Sequence, residues 1–526
     1  MRVQLLFLDR DFDWSAPLPW NEQALRTDLE LDALLGAMAQ TDRYIQECCC
    51  KVVLAGTAND IETIWYRQSA LQDCLNNPVV LRELYALTVK ATESGKKHYL
   101  GSLTCYPHWV LRDAIDQMEA SVEFLKNLRE LADRNIHKFT SEAWKELFAM
   151  LTRELDDAYI ASIRETCERL HFHGATLLSA QLGDGNKPTR YVLHQPLRRT
   201  WKSRWSWLWE WIFPPKAPPN SFSIHPRDEA GISALQRLHD QGIGFTANAM
   251  AQSKDHVRNF FNTLRAELAF YVGCVNLHEV LAAKGEPVCT PSPQPPELQC
   301  LSFRGLYDIG LSLSVRGRVV GNDADADRKG LIIVTGANQG GKSTFLRSVG
   351  LAQLMMQSGM FVPAGSFRAS ICRSLCTHFK REEDAGMTSG KFDEELSRMS
   401  DIVDHIAPYS MVLFNESFAA TNEREGSEVA TQVMTALLEK SFRVVCVTHL
   451  YELAHGFFTR KRADILFLRA DRHPSGERSF KLVEGEPLPS SFGLDLYEKI
   501  FTTSAGDRGV MPAATSPARL VEGSVK

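Results

Sequence analysis

The residues with the clearest chemistry are Gly336, Ala337, Asn338, Gln339, Gly340, Gly341, Lys342 and Ser343, a complete G-x-x-x-x-G-K-[ST] pattern directly after the apolar run Leu331 to Val334. The glycines let the backbone wrap tightly, so that its N–H groups and the N-terminus of the following helix can cradle phosphate oxygens. Lys342 is placed to reach the β- and γ-phosphates, and Ser343 to ligate Mg²⁺. ATP and Mg²⁺ are therefore the expected cofactors. A chance glycine-rich turn would show the same letters, but not strand, loop and helix in the required order followed by further matching parts.

The next part expected is an acidic residue at the end of a neighbouring strand. Met411-Val-Leu-Phe-Asn415-Glu416 supplies an apolar strand ending in Asn-Glu. Glu416 is the natural general base or water-positioning residue. Asn415 stands where an Asp normally helps hold the metal through its water shell. An amide accepts a hydrogen bond but brings no charge, which predicts weaker Mg²⁺ binding or slower turnover. A third apolar run, Arg443 to Val447, ends in Thr448-His449. A His after a strand is often structural, but here it stands where it could sense a γ-phosphate. The pair Ser389-Gly390 opens a segment with Leu396, Met399, Ile402 and Ile406 at helical spacing. Such a pair is a plain N-cap in isolation and a second phosphate-binding candidate in a nucleotide-binding domain.

These parts need a scaffold. Short β-rich runs at 331–335, 411–414 and 443–448 alternate with helical patterns, as in an α/β sheet domain. From about residue 20 to 180 the chain reads instead as mostly helix. Leu111, Ile115, Met118, Val122, Leu125 and Leu128 step by four and three, as do Val257, Phe261, Leu264, Leu268, Tyr271 and Val275. Two long helices packed side by side would satisfy both stripes. Between them, residues 183–226 carry glycines, prolines and five tryptophans within eleven residues, which marks an insertion or tip. A proline-rich connector, Pro287 to Gln299, precedes the α/β part.

Bulk properties narrow the class. With 526 residues the chain is too long for one core, and 44% hydrophobic and 23% charged residues suit a folded globular protein. The net charge of −5 gives no global basic signature, so nucleic-acid contact would have to come from local patches. Twelve cysteines without metal-ligand spacing suit reduced thiols and a cytoplasmic location, nucleoid-associated in a bacterium. The apolar run Leu5 to Leu8 is too short for a signal-peptide core, and no stretch approaches a spanning helix, so no membrane contact is expected.

The stretch Thr335-Gly336-Ala337-Asn338-Gln339-Gly340-Gly341-Lys342-Ser343-Thr344 resembles the T-G-x-N-x-G-G-K-S-T loop of the DNA mismatch-repair MutS family. The likeness continues through Phe361-Val362-Pro363-Ala364, Ser389-Gly390, Asn415-Glu416 with Thr421 and Gly426, and Thr448-His449 with Glu452 and Leu453. Ala337 replaces the usual proline and Gln339 the usual methionine, and neither change removes a phosphate contact. The resemblance implies a helical core with long lever helices (1–182 and 227–286), a reduced clamp at 183–226 and an ABC-type P-loop ATPase domain at 300–502, and the small, polar residues at 503–526 read as a disordered tail. It further implies a homodimer in which Ser389 and Gly390 complete the partner's ATP site, with DNA as ligand and other repair proteins as possible partners. The start of the chain departs most from the family: no Phe-x-Glu wedge stands ahead of the helical core, and a mismatch-reading domain is not expected.

The leading expectation is an ATP-dependent DNA-binding clamp that recognises a DNA structure and not a mispaired base. The alternative is a nucleotide-gated protein-interaction scaffold with weak ATPase and little DNA binding. A transport ATPase is disfavoured by the long helical segment ahead of the P-loop. In the tryptophan-rich stretch, Arg198, Arg199, Lys202 and Arg204 could grip DNA phosphates while Trp205, Trp207, Trp209 and Trp211 stack on bases. A hairpin packed on the protein itself, a protein partner or a membrane surface fits the same residues.

Overall fold

The computed structural model describes all residues except 98–105, 172–176, 187, 195–223, 226, 338, 382–389, 473–477 and 489–526. The basic residues Arg198, Arg199, Lys202 and Arg204, the tryptophan stretch, Asn338, Ser389 and the expected tail at 503–526 lie outside the described residues. The chain forms two compact units: Met1–Pro293 with Leu313–Arg318 and Ala352–Pro363, and Gln294–Ser312 with Val319–Leu351 and Ala364–Lys526. The main division falls inside the proline-rich connector.

The first unit is built from helices α1 (Glu22–Asp28), α2 (Leu31–Ala39), α3 (Arg43–Leu54), α4 (Ile61–Asn76), α5 (Pro78–Lys97), α6 (Pro107–Asn135), α7 (Glu142–Glu154), α8 (Asp157–Leu170) and α9 (Glu229–Ala283). Their starts are written locally. Asp42, Asp60, Asp156 and Asp228 each accept a backbone N–H of the first turn, capping α3, α4, α8 and α9. Pro107 opens α6, where its missing N–H costs nothing. At 55 residues, α9 is about 80 Å long.

Both expected stripes are buried, the one on α6 and the one on α9. The two helices pack alongside each other. His108 Nδ1 lies 2.9 Å from Asp240, Lys254 Nζ 3.2 Å from Asp113, and the rings of Phe124 and Phe261 meet edge-on at 6.5 Å. Partners rise together in number, so the pair runs parallel. On α5 the order is reversed, with Arg82 bonded to Glu279 at 2.8 Å and Thr92 accepting from Arg265 at 2.9 Å. Each fully buried Leu, Phe or Met is worth roughly 1.5–3 kcal/mol, whereas the partly exposed ion pairs between these helices add about 1 kcal/mol each. Apolar burial holds this bundle together.

One polar cluster sits inside it. The Glu267 carboxylate on α9 accepts N–H bonds from Leu5 (2.6 Å), Leu6 (3.1 Å) and Phe12 (2.7 Å), and Tyr271 donates its hydroxyl to Leu5 O at 2.6 Å. Arg67, also buried, donates to Leu6 O at 2.7 Å. The apolar start of the chain is thus core, with Val3, Leu5 and Leu6 buried.

The expectation of helix up to residue 182 needs correction. Residues Leu177–Leu182 are strand β1, paired antiparallel with β2 (Pro188–His194) around the turn at Asp184–Asn186. The interruption therefore begins near 177. The exposed faces of Leu177, Leu182 and Val192 show why helix periodicity fails there. The connector is not a free linker either. Cys289 and Val362 exchange backbone hydrogen bonds at 3.1 and 2.9 Å, and Ser292–Gln294 forms strand β3.

In the second unit, a small sheet has the order β3-β7-β4-β5, with β4 (Leu301–Leu306), β5 (Asn322–Asp325) and β7 (Ser366–Ser370). The main sheet contains β6 (Leu331–Thr335), β8 (Leu375–Phe379), β9 (Met411–Asn415), β10 (Arg443–Val447), β11 (Ile465–Arg472) and β12 (Arg478–Glu484), in the order β12-β11-β6-β10-β9-β8. All neighbours are parallel except the antiparallel edge pair β11 and β12. Strands covered on both faces read as unbroken apolar runs, which is why LIIV and VVCV were legible. Helices α10 (Lys342–Gln357), α11 (Lys391–His405), α12 (Glu423–Glu439) and α13 (Tyr451–Thr459) follow β6, β8, β9 and β10 in the chain.

Helix α11 departs from its expected stripe. Leu396 is 37% exposed, while Glu395, Met399 and Ile402 are buried and Phe392 and Ile406 pack against the core. The buried face is therefore 392, 395, 399, 402 and 406, and a carboxylate occupies a position the apolar pattern assigned to its neighbour.

Candidate functional site

Strand β6 ends at Thr335, and the chain turns at Gly336 with φ of 115°. A side chain there would be strained by that angle and would place its Cβ 2.9 Å from the backbone N of Ala470 on β11. At Gly340 a Cβ would meet Ala470 Cβ at 2.8 Å and Ala337 O at 2.9 Å. These glycines are fixed by the neighbouring strand as well as by any phosphate. Phe345 N donates to Gly341 O at 2.9 Å, starting α10, whose first residues are Lys342, Ser343 and Thr344.

The Lys342 ammonium donates to Gly336 O at 2.8 Å and Ala337 O at 3.0 Å. Burial pushes its pKa below the usual lysine value, opposed by the Glu416 carboxylate and reinforced by the charge of Arg478. Ser343 Oγ donates to Asn415 Oδ1 at 2.9 Å. The pair brings a hydroxyl and a neutral amide oxygen to where a metal would sit. This donor set suits a weakly held hydrated Mg²⁺, because Asn415 adds no charge.

Glu416 and His449, distant in sequence, meet. The register of β9 beside β10 places Asn415 opposite Val447, and the two chain ends leave the sheet together. Glu416 N donates to Val447 O at 2.9 Å, and its carboxylate lies 2.6 Å from His449 Nε2. Burial raises the Glu416 carboxyl, but the hydrogen bond and charge of His449, with Lys342 and Lys380 beyond, outweigh it and leave the pKa below the usual glutamate value. Glu416 also adopts φ of 56°, a costly left-handed conformation for a residue with a side chain.

The turn after Glu416 is fixed from below. Ser417 donates its hydroxyl to His378 O and sits 2.7 Å from His378 Nδ1, while His378 Nε2 lies 2.9 Å from Glu395 O. The His378 ring stacks on Phe418 at 5.2 Å. Burial lowers the His378 pKa to about 4, so this ring is neutral. Gly426 is required for another reason: a Cβ there would lie 2.3 Å from Phe418 O. Asn422 caps α12 through Glu425 N at 3.0 Å, and Thr421 donates to the Glu425 carboxylate at 2.8 Å.

Gly390 is the N-cap of α11, in extended conformation, and no other member of the expected signature pair is described. Asp393 and Glu394 in the first turn oppose an anion there electrostatically. Two residues near the P-loop escaped the sequence reading. Arg478 on β12 donates to Gln339 Oε1 at 2.6 Å, and Phe480, 48% exposed, lies within 3.9 Å of a Cβ built on Gly341. Nothing in the local sequence marks them, since β12 reaches the loop only through its antiparallel pairing with β11.

Comparison with known proteins returns two family models. The one described as MutS2 N-terminal domain matches residues 59–284, and the one described as MutS domain V matches residues 332–505. The chain belongs to the MutS family. Among curated relatives of this MutS-family chain, "Endonuclease MutS2" of Geobacillus thermodenitrificans is 34% identical over 128 residues, covering 24% of this chain and 16% of the relative. "DNA mismatch repair protein MutS" of Microcystis aeruginosa is 35% identical over 137 residues, covering 26% and 15%. "Endonuclease MutS2" of Lacticaseibacillus casei is 34% identical over 147 residues, covering 27% and 19%. The chain thus spans under a fifth of the length of these curated relatives. No described helix is long and apolar enough to cross a membrane.

Proposed function

We propose that this chain is an ATP-dependent DNA-binding clamp of MutS type that binds and slowly hydrolyses ATP to switch between DNA-bound states, as a homodimer in DNA repair or recombination. The observation that carries this reading is the meeting of three strand ends at one edge of the sheet: Gly336 to Thr344 after β6, Asn415-Glu416 after β9 and His449 after β10.

The loop amides from Gly336 to Ser343, with Asn338 and Gln339 between the glycines, surround the phosphates, and the start of α10 adds its positive end. Lys342 exchanges its carbonyl partners for β- and γ-oxygens. Ser343 and Asn415 hold Mg²⁺, which when bound shields the phosphate charge. Glu416, ionised at neutral pH, orients the attacking water and accepts its proton, and His449 holds Glu416 in place. Ser389 and Gly390 serve the partner subunit's site. Arg198, Arg199, Lys202 and Arg204 contact DNA phosphates. The names of the relatives support a DNA substrate.

A second reading, a nucleotide-gated protein-interaction scaffold, is favoured by one observation: Asn415 leaves the metal position without a carboxylate, which slows turnover. ATPase activity of the wild type and Glu416→Ala, with and without duplex, mismatched and branched DNA at low salt, separates the two. Stimulation by one DNA form, lost in the variant, is the expected result. ATP binding with no response to any DNA sinks the clamp reading in favour of the scaffold.

A further inference from the structure

An Asp at position 415 would leave a charged ligand for a divalent cation, and the cation would in turn neutralise the phosphates. Here that ligand is an amide, 2.9 Å from the Ser343 hydroxyl. The carboxylate of the next residue, Glu416, is already engaged by His449 at 2.6 Å. The site therefore holds less negative charge for a metal than its outline suggests.

It also holds an additional positive charge. Arg478 bonds Gln339, the residue before Gly340, at 2.6 Å. Its influence on the Lys342 ammonium places the two charges in one electrostatic neighbourhood. The strand that carries it is clamped: Asn322 accepts from Leu482 N at 2.8 Å and donates to Phe480 O at 3.4 Å, and Phe480 itself lies over Gly341. An arginine so placed is a fork of N–H donors beside a phosphate loop, and guanidinium binds phosphate oxygens in pairs. Its present partner is a neutral amide, which a phosphate displaces at small cost.

Resting on the nucleotide reading of this site, we propose that Arg478 is a phosphate-binding residue whose charge substitutes in part for the divalent cation, so that the site holds a nucleoside triphosphate with little dependence on Mg²⁺. The missing charge at Asn415 and the positive charge at Arg478 are complementary. Affinity is then retained without the metal, while turnover still suffers from its weak hold.

The test is calorimetric binding of a non-hydrolysable ATP analogue to the full chain, in Mg²⁺ and in EDTA. It covers wild type, Arg478→Ala, Arg478→Lys and Asn415→Asp, each checked for native circular dichroism. Wild-type affinity should differ by less than about threefold between the two buffers, and Arg478→Ala should bind about tenfold more weakly in EDTA. Arg478→Lys should keep part of the affinity, and Asn415→Asp should bind better with Mg²⁺ than without. Wild-type binding that collapses in EDTA overturns the inference, as does an Arg478→Ala protein unchanged in EDTA, and both leave the nucleotide site standing. Absence of binding in both buffers overturns the nucleotide reading itself, and the inference with it.

Discussion

The contact between Glu416 and His449 sets how the candidate site titrates. Because His449 and the nearby lysines lower the Glu416 pKa against the effect of burial, the carboxylate is present throughout the neutral range. In His449→Ala the lowering contributions from that residue vanish and burial gains weight. The acid limb of the ATPase pH profile should then move to higher pH, with activity down by roughly 10²-fold. A pH–rate profile whose acid limb stays in place would remove His449 from this role. The buried His378 gives a second pH effect. Its pKa falls from 6.5 to about 4 on folding, so between those values the unfolded chain takes up the proton first, and stability is lost as pH drops through that window. Roughly 2 kcal/mol should disappear between pH 7 and pH 5 through this residue. His378→Asn should be less stable at pH 7 and lose that part of the slope, which denaturant titrations at the two pH values measure directly.

Elements turn these contacts into a site. Helix α12 approaches the turn at Phe418 so closely that Gly426→Ala forces a Cβ to within 2.3 Å of a carbonyl oxygen. The turn must shift, carrying Glu416 with it. We expect a loss of about 2–3 kcal/mol in stability and a larger fractional loss in kcat than in nucleotide affinity, because the loop and Lys342 follow a different strand, β6. Equal losses in both would show that the helix, and not the turn, had moved. In the helical unit, Phe261 fills the seam between α6 and α9, with its ring edge-on to Phe124. Phe261→Ala should cost about 3–5 kcal/mol by thermal or denaturant unfolding of that unit, whereas Lys254→Ala, at the rim of the same seam, should cost under about 1 kcal/mol.

For the whole molecule, two proposals reach beyond a single chain. If Ser389 and Gly390 serve a partner's nucleotide, a Lys342→Ala protein and a Gly390→Asp protein, each inactive alone, should regain about a quarter of wild-type ATPase when mixed, since half the dimers are hybrid and each hybrid has one complete site. A mixture no more active than its components would rule out the shared site. DNA binding through Arg198, Arg199, Lys202 and Arg204 predicts that replacing all of them by Ala makes the dependence of log affinity on log salt shallower, by about 0.9 for each phosphate the protein no longer neutralises. An unchanged slope would move the DNA-binding surface elsewhere.

The phosphate loop, the strands that carry it and the two helical stripes were legible because each is local: a glycine pattern, an unbroken apolar run, or a spacing of three and four suffices to define it. Asn415 and Glu416 were legible for the same reason, as the end of one strand. What the sequence could not supply is proximity between distant segments. Strand order decided that Glu416 faces His449, that Ala470 forbids side chains at Gly336 and Gly340, and that Arg478 reaches Gln339, since hydrogen-bonded pairing brings together residues up to 139 positions apart. Burial likewise decided that Glu395, and not Leu396, turns inward on α11. Pattern determined which elements exist and which residues could do chemistry; only packing, which satisfies buried polar groups and excludes water, determined which of those residues act on one another.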